Sequence, residues 1–285
     1  MFQKDLLSGK RILITGGATG LGKSMAQRFL ELGAVLYICG RREQVLNEAA
    51  EELRKATGRT VKTFVCDVRD NSSVDAMIAS IWQDGPLDVL VNNAAGNFIS
   101  RTEELSEGAF QAVIGIVLMG TIHSTMACGR RWLKEGHRAT VLNITTTYAE
   151  TGSAYVVPSS VAKAGVLNLT RSLAVEWGPR GIRFNAIAPG PIPTEGAFSR
   201  LVPLKSLEDA AIKRNPLGRF GTREELANLA AFLVSDQSGY INGHQVVMDG
   251  GEWLKGASEF SHLGDVLTEE MWQAFRPKKK QSPSS

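Results

Sequence analysis

Four polar side chains in the middle of the chain are of types that hold or move protons: the amide of Asn97, the phenol of Tyr148, the hydroxyl of Ser159 and the amine of Lys163. Ser159 and Lys163 stand four residues apart in a helical run, which puts both on one face. A reduction that turns a ketone into an alkoxide needs an acid touching the oxygen, and a tyrosine acidified by a nearby lysine supplies that proton. Four residues before Lys163 this chain has serine, and the phenol stands eleven residues further upstream. A phenol held that far from the lysine suits an anion that needs hydrogen bonds more than an immediate proton. Ser159 also fits an ordinary serine of a helix N-terminus, and Tyr148 a loop aromatic capping the core.

Positioning such a set takes a frame, and the chain supplies alternating strands and helices. Lys10–Thr15 is a short, branched, apolar run that breaks into Gly16-Gly17-Ala18-Thr19-Gly20-Leu21-Gly22, after which Lys23–Leu32 repeats apolar residues at helical spacing. Strand, glycine-rich turn and helix N-terminus make a place where bare backbone N–H groups can meet a pyrophosphate. The spacing Gly16-x3-Gly20-x-Gly22 departs from the common G-x-G-x-x-G, so a plain tight turn stays open on this segment alone. A second apolar run, Ala34–Cys39, leads into Arg41 and Arg42, where a dinucleotide site would carry an acid for a ribose 2′-hydroxyl. Two guanidinium groups and no acid favour NADP(H) over NAD, although Arg42 equally suits a solvated residue opening the helix Glu43–Ala56.

Further strands are read at Val61–Cys66, Leu87–Asn92, Ala139–Thr145, Ile182–Ala188 and Gln245–Asp249, and helices at Ser72–Trp82, Phe110–Leu133, Val161–Trp177 and Arg223–Ser235. The alternation predicts an α/β chain, a single-domain Rossmann fold over 1–285 whose parallel sheet carries helices on both faces. Pro189–Phe220 holds five of the ten prolines and lies beside the strand ends where ligands bind. It reads as a substrate lid of about 189–220, or as an irregular surface excursion.

Composition narrows the classes. With 285 residues, 43% hydrophobic, the chain can bury one large core or two modest ones. The net charge of +3 falls to zero without Lys278, Lys279 and Lys280, and the other basic residues are interspersed with acids, which argues against nucleic acid as partner. No membrane-spanning stretch is expected, and no secretory signal, since Asp5 interrupts an N-terminus without an apolar core. Cys39, Cys66 and Cys128 have neither metal nor paired spacing; no metal site is expected, and the thiols read as small buried groups in a reducing compartment. The residues from 276 to 285 form a polar, basic tail without a peroxisomal address, so the expected location is cytoplasmic.

Taken jointly, Thr15 to Gly22, Cys66-Asp67-Val68, Asn92-Asn93-Ala94-Ala95-Gly96, Lys163, Asn185 and Pro189-Gly190 resemble the short-chain dehydrogenase/reductase pattern, from about Gly9 to Gly251. The resemblance implies a seven-stranded Rossmann sheet. It further implies that Gly16, Gly17, Thr19, Gly20, Leu21, Gly22 and Arg41 bind the cofactor, that Asp67 contacts adenine, and that Asn92, Asn93 and Ala94 line the site. Pro189, Gly190 and Ile192 would close over the nicotinamide, and Lys163 would hold its ribose. The usual catalytic set departs at three positions: Ser159 stands for the tyrosine, Thr146 near the serine and Val117 for a helix asparagine.

These departures, with Thr145 to Ser153, Pro158-Ser159, Ala95 to Ser100 and Gly196 to Leu201, are similar to the NADPH-dependent 2,4-dienoyl-CoA reductases. In that subset hydride enters the far end of a conjugated thioester and the charge spreads into a dienolate. The resemblance implies Tyr148 and Asn97 on the thioester oxygen, and Ser159 with Lys163 holding a water that protonates the α-carbon. It also implies Arg69, Phe98, Ser106 and Arg200 against the acyl-CoA, a 3-enoyl-CoA product in oxidation of unsaturated fatty acids, and a homotetramer. Two alternatives stay open: another short-chain reductase acting on a 3-ketoacyl thioester or sugar carbonyl, and a catalytically silent dinucleotide-binding member.

Overall fold

Along the first strand, β1 (Arg11–Thr15), Ile12 and Ile14 join one buried cluster and Leu13 another. Successive side chains of a strand point to opposite faces, so a strand apolar on both must lie between two layers of helices. The computed structural model describes residues 3–194, 205–257, 260–261 and 263–274 and shows that arrangement. β1, β2 (Val35–Gly40), β3 (Val61–Val65), β4 (Val89–Asn92), β5 (Ala139–Ile144), β6 (Ile182–Pro189) and β7 (Gln245–Met248) form one sheet in the order β3-β2-β1-β4-β5-β6-β7. Every neighbouring pair is parallel. The expected single Rossmann sheet of seven strands is therefore present.

One face is covered by α1 (Gly20–Glu31), α2 (Glu43–Thr57) and, from near the C-terminal end, Arg223–Val234, through residues such as Phe29, Leu53 and Leu226. The other is covered by α3 (Asn71–Trp82) and two long helices described next, through Ile78, Trp132 and Trp177. Strand order reverses direction between β1 and β4, and ligands of open α/β sheets bind in the crevice that such a reversal leaves at the strand ends.

The helix expected at Phe110–Leu133 is longer and is interrupted. It runs as α4 (Glu107–Ile114), a π-helical turn Gly115–Met119, and α5 (Gly120–Glu135). Ser106 starts it, its hydroxyl oxygen accepting the Ala109 N–H at 3.2 Å. Contrary to expectation, the run from 108 to 129 has no Asp, Glu, Lys or Arg and the length and apolarity of a membrane span. Half of its most apolar window is buried, with Ala127, Cys128 and Trp132 in the sheet-facing core, as befits a core helix.

After β5 come a one-turn helix, α6 (Tyr148–Thr151), and the long α7 (Val157–Trp177). The sequence placed the start of α7 at Val161. Pro158, whose fixed φ and missing N–H suit a first helical turn, carries it back to Val157. Within the expected lid the described part contains α8 (Lys205–Arg214), after which Arg223–Val234 forms α9.

Candidate active site

An open cleft of about 1260 Å³ lies along the carboxyl ends of the strands and contains both ends of the expected site. At its adenosine end the glycine turn follows β1. A Cβ on Gly22 would stand 2.4 Å from the Gly16 carbonyl oxygen, and Gly16 has φ +64°, so this approach of helix to turn excludes larger residues. Thr19 precedes α1 with no side-chain cap, which leaves the first N–H groups of the helix available to an anion. Asn93 braces the turn: its Nδ2 donates to the carbonyls of Thr15 and Gly16 at 3.0 and 3.1 Å. Asn92 is a correction. Instead of lining the cleft it is buried, its amide donating to Thr125 Oγ1 and Asn143 Oδ1, while Ala94 does line the cleft.

Arg41 and Arg42 leave β2 exposed and line the cleft. Asp67 lines it too, but its carboxylate is taken by Arg69, whose Nε donates to Oδ1 at 3.0 Å and whose Nη2 donates to Oδ2 at 2.5 Å. This hydrogen-bonded ion pair holds the Asp67 carboxyl below its ordinary range. The guanidinium expected at the acyl-CoA rim is thus committed to the expected adenine contact. The three cysteines are free and buried, as the sequence suggested.

At the reaction end, Tyr148 opens α6 rather than sitting in a plain loop. Asn97 Nδ2 donates to Tyr148 Oη at 3.2 Å, and Tyr148 Oη and Ser159 Oγ share a hydrogen bond, also at 3.2 Å. The Phe98 backbone N–H donates to Asn97 Oδ1 at 2.9 Å, which turns the amide so that its NH2 faces the phenol. One turn beyond Ser159 on α7, Lys163 is buried and donates to the Ile144 carbonyl. Burial pushes its pKa from 10.5 down to about 8. Asn97, Tyr148, Ser159 and Lys163, scattered over the sequence, all line the one cleft. Together they provide donors for an oxygen that gains charge, and an amine that readily releases its proton.

Of the three departures, Thr146 is buried beside the cleft, and Val117 lies in the π turn, packed with Val113, Ala162 and Val166. Other expected residues are less engaged. Ser106 caps α4, and Phe98 packs on the Val117 cluster. Pro189 lines the cleft, Gly190 approaches Asp249 so closely that a Cβ would be 2.8 Å from its Cα, and Ile192 is buried. Arg200 and Phe198 lie outside the described residues.

Several contributors escaped the sequence. Ser160 Oγ donates to the Tyr148 carbonyl at 3.1 Å and ties the tyrosine turn to α7. Tyr155 has φ +64°, the one positive value at a non-glycine among the described residues, and its carbonyl accepts the Ser100 N–H at 3.0 Å. Its sole signal was its place two residues after the Gly152-Ser153 turn. Thr194 reaches the glycine turn, 3.5 Å from where a Gly20 Cβ would be.

Comparison with known proteins gives the family. A family model described as enoyl-(acyl carrier protein) reductase matches residues 16–252. A protein of Bacillus subtilis (strain 168) named probable 2,4-dienoyl-CoA reductase, (2E)-enoyl-CoA-producing, is 47% identical over 247 residues, covering 86% of this chain and 97% of its own. Probable 2,4-dienoyl-CoA reductase 3, (3E)-enoyl-CoA-producing, of Caenorhabditis elegans is 45% identical over 267 residues, with 92% and 85% covered. The chain belongs to the short-chain dehydrogenase/reductase family. Among solved structures, a gluconate 5-dehydrogenase of Burkholderia cenocepacia in complex with NADP and tartrate is similar with a TM-score of 0.82 at 30% identity, over 88% of this chain and 98% of that one.

Members of this family are oxidoreductases that bind a nicotinamide dinucleotide. The residues present fit that group, since Gly16 and Gly20, both at positive φ, line the cleft without side chains and the adjoining helix N-terminus is uncapped.

Proposed function

We propose that this protein is an NADPH-dependent 2,4-dienoyl-CoA reductase that yields 3-enoyl-CoA. The observation that carries the reading is the hydrogen-bonded run from Asn97 through Tyr148 to Ser159, beside buried Lys163, with no phenol four residues before that lysine. The glycine turn and Lys163 would hold the nicotinamide cofactor in the cleft, and the chemistry it would supply there is hydride for the δ-carbon of the dienoyl chain. Tyr148 and Asn97 hold the thioester oxygen while charge spreads over the dienolate, and donors aimed at such an oxygen are worth more in a site closed to water. Ser159 and Lys163 hold a water that delivers a proton to the α-carbon. Lys163, with its lowered pKa of about 8, would also hold the nicotinamide ribose hydroxyls.

The two relatives differ over the product, one named for a (2E)-enoyl and the other for a (3E)-enoyl thioester. The difference is where the proton lands: at the α-carbon it leaves the double bond between β and γ, at the γ-carbon between α and β. Ser159 and Lys163 are assigned to the α-carbon here. Arg41 and Arg42 support NADPH over NADH, and Arg200 is assigned to a coenzyme A phosphate. A homotetramer in the cytoplasm completes the proposal.

The test is NADPH oxidation with a 2,4-dienoyl-CoA, with the product identified by chromatography. A 3-enoyl-CoA is expected, with 3-ketoacyl-CoA and sugars untouched; a better rate on the ketone would make this an unusual carbonyl reductase instead. For the cofactor, NADPH should bind at least about tenfold more tightly than NADH, or roughly 1.4 kcal/mol, and Arg41→Asp should reverse the order. Equal affinities in a direct titration would end the NADPH assignment.

A further inference from the structure

We infer that Arg69 is a cofactor-selectivity residue, which by covering the Asp67 carboxylate allows the ends of β2 and β3 to accept a ribose 2′-phosphate. The inference rests on the NADPH reading above. β2 and β3 run side by side with Gly40 opposite Val65, and the Cys66 N–H donates to the Gly40 carbonyl at 2.9 Å. Arg41 and Asp67 therefore leave adjacent strands together, close enough that the Arg41 charge helps to keep the Asp67 carboxyl ionised.

An ionised acid at the end of β2 is the usual means of choosing a 2′-hydroxyl and repelling a phosphate. This chain has Arg41 and Arg42 there instead, yet Asp67, at the end of the adjacent β3, sets a carboxylate one strand away from them. Arg69 reconciles the two. Its Nε lies 3.0 Å from each carboxylate oxygen, its Nη2 is 2.5 Å from Oδ2, and its backbone N–H donates to Oδ1 at 3.0 Å. A guanidinium matched to both oxygens neutralises the carboxylate far better than a single ammonium would. The side chain is also steered from below: a Cβ on Gly115, in the π turn, would meet its Cδ at 3.6 Å, so the stem passes over a residue without a side chain.

The remaining charges at this end cancel in the same manner. Lys23 and Glu52, which also line the cleft, are paired across α1 and α2. With Arg69 in place, the charges at the end of β2 that have no ion pair among the described residues are Arg41 and Arg42, and Arg223 adds a further positive charge to the cleft. Without Arg69, Asp67 offsets one of them.

Direct fluorescence titration with NADPH and with NADH on the wild type, Arg69→Ala, Asp67→Asn and the double variant decides the matter. Arg69→Ala should weaken NADPH about fivefold or more and NADH less than about twofold, the NADH value also reporting that the variant is folded. In the Asp67→Asn background the same change should alter NADPH by less than about twofold, because no carboxylate is left to cover. The inference is overturned if Arg69→Ala weakens both cofactors alike or neither. It is equally overturned if the loss for NADPH persists in the Asp67→Asn background, since Arg69 would then touch the phosphate directly. A wild type that binds both cofactors equally would refute the NADPH reading itself, a result visible before any variant is compared.

Discussion

At the adenosine end of the cleft the chain presents mostly backbone: a glycine turn, an uncapped helix start and strand ends, all fixed by the sheet. At the reaction end it presents side chains on three separate carriers, the loop after β4 with Asn97, the single turn α6 with Tyr148, and α7 with Ser159 and Lys163. The glycine turn at the first end is made by excluding side chains, the second end by aligning them. The first is therefore damaged by adding an atom and the second by removing one, and each has its own way of failing.

The largest effect belongs to the reaction end. Tyr148→Phe should lower kcat by about a hundredfold or more, about 3 kcal/mol, the scale of losing one donor to a developing oxyanion, while cofactor affinity stays put. Ser159→Ala should cost less, because water can partly replace a hydroxyl in a relay. The opposite ranking in steady-state kinetics would remove the basis of the dienoyl-CoA mechanism.

Lys163 links that end to stability. Its pKa is 10.5 when exposed and about 8 in the fold, so between these values the unfolded chain holds more protons and stability rises with pH. Below about pH 8 both states carry the proton and the cost of burying the charge is present in full. Denaturant melts of the cofactor-free protein should show the wild type gaining on Lys163→Met over that window, by on the order of 3 kcal/mol. A difference independent of pH would show that the amine is not buried as a cation.

The adenosine end is tested in the reverse manner. In Gly22→Ala the new methyl would meet the Gly16 carbonyl at 2.4 Å and Asn93 Nδ2 at 2.6 Å, and a backbone oxygen cannot swing aside. The variant should lose about 2 kcal/mol of stability by thermal melting, and NADPH should bind more weakly. Unchanged binding would mean that the turn has slack, and the contrast between the ends would lose its force.

The smallest effect concerns alignment alone. Ser160→Ala removes the hydroxyl that holds the Tyr148 carbonyl, and should lower kcat about fivefold, or about 1 kcal/mol, with Ser160→Thr restoring it. In a Tyr148→Phe background the change should have almost no effect on kcat. Equal losses in both backgrounds would reduce Ser160 to general support of the fold.

The same contrast explains what could be read from the sequence. Strand, turn and helix are local, so Gly16 to Gly22 and Arg41 could be placed from neighbours in the chain. The tyrosine displacement was also legible, because the distance from Ser159 to Lys163 is one helical turn. Asn92 and Asn93 were harder: adjacent residues at a strand end face opposite ways, and only the structure shows Asn92 turned to Thr125 and Asn143 and Asn93 to the glycine turn. Arg69 was hard to place for a similar reason. Its partner is two residues away, but nothing in the spacing says whether the guanidinium turns back to Asp67 or out to a ligand. Ser160 went unnoticed because an exposed serine and one that ties down a carbonyl look alike in sequence.

The parallel pairing of β1 with β4 sets Ile12 against Val89 across the whole of β2, β3 and their helices. In kinetic terms this is a contact of high order: the intervening chain must be gathered in before any pairing energy is returned. The crevice for the dinucleotide exists only once that pair has closed, because Thr15 and Gly16 on one side and Asn93 on the other form its brace. A nascent chain that has emerged only as far as β3 has its glycine turn written but no partner strand to hold it. Affinity for the cofactor thus arrives late in folding, with the joining of the two halves of the sheet, and from that moment mass action by the cofactor favours the finished fold.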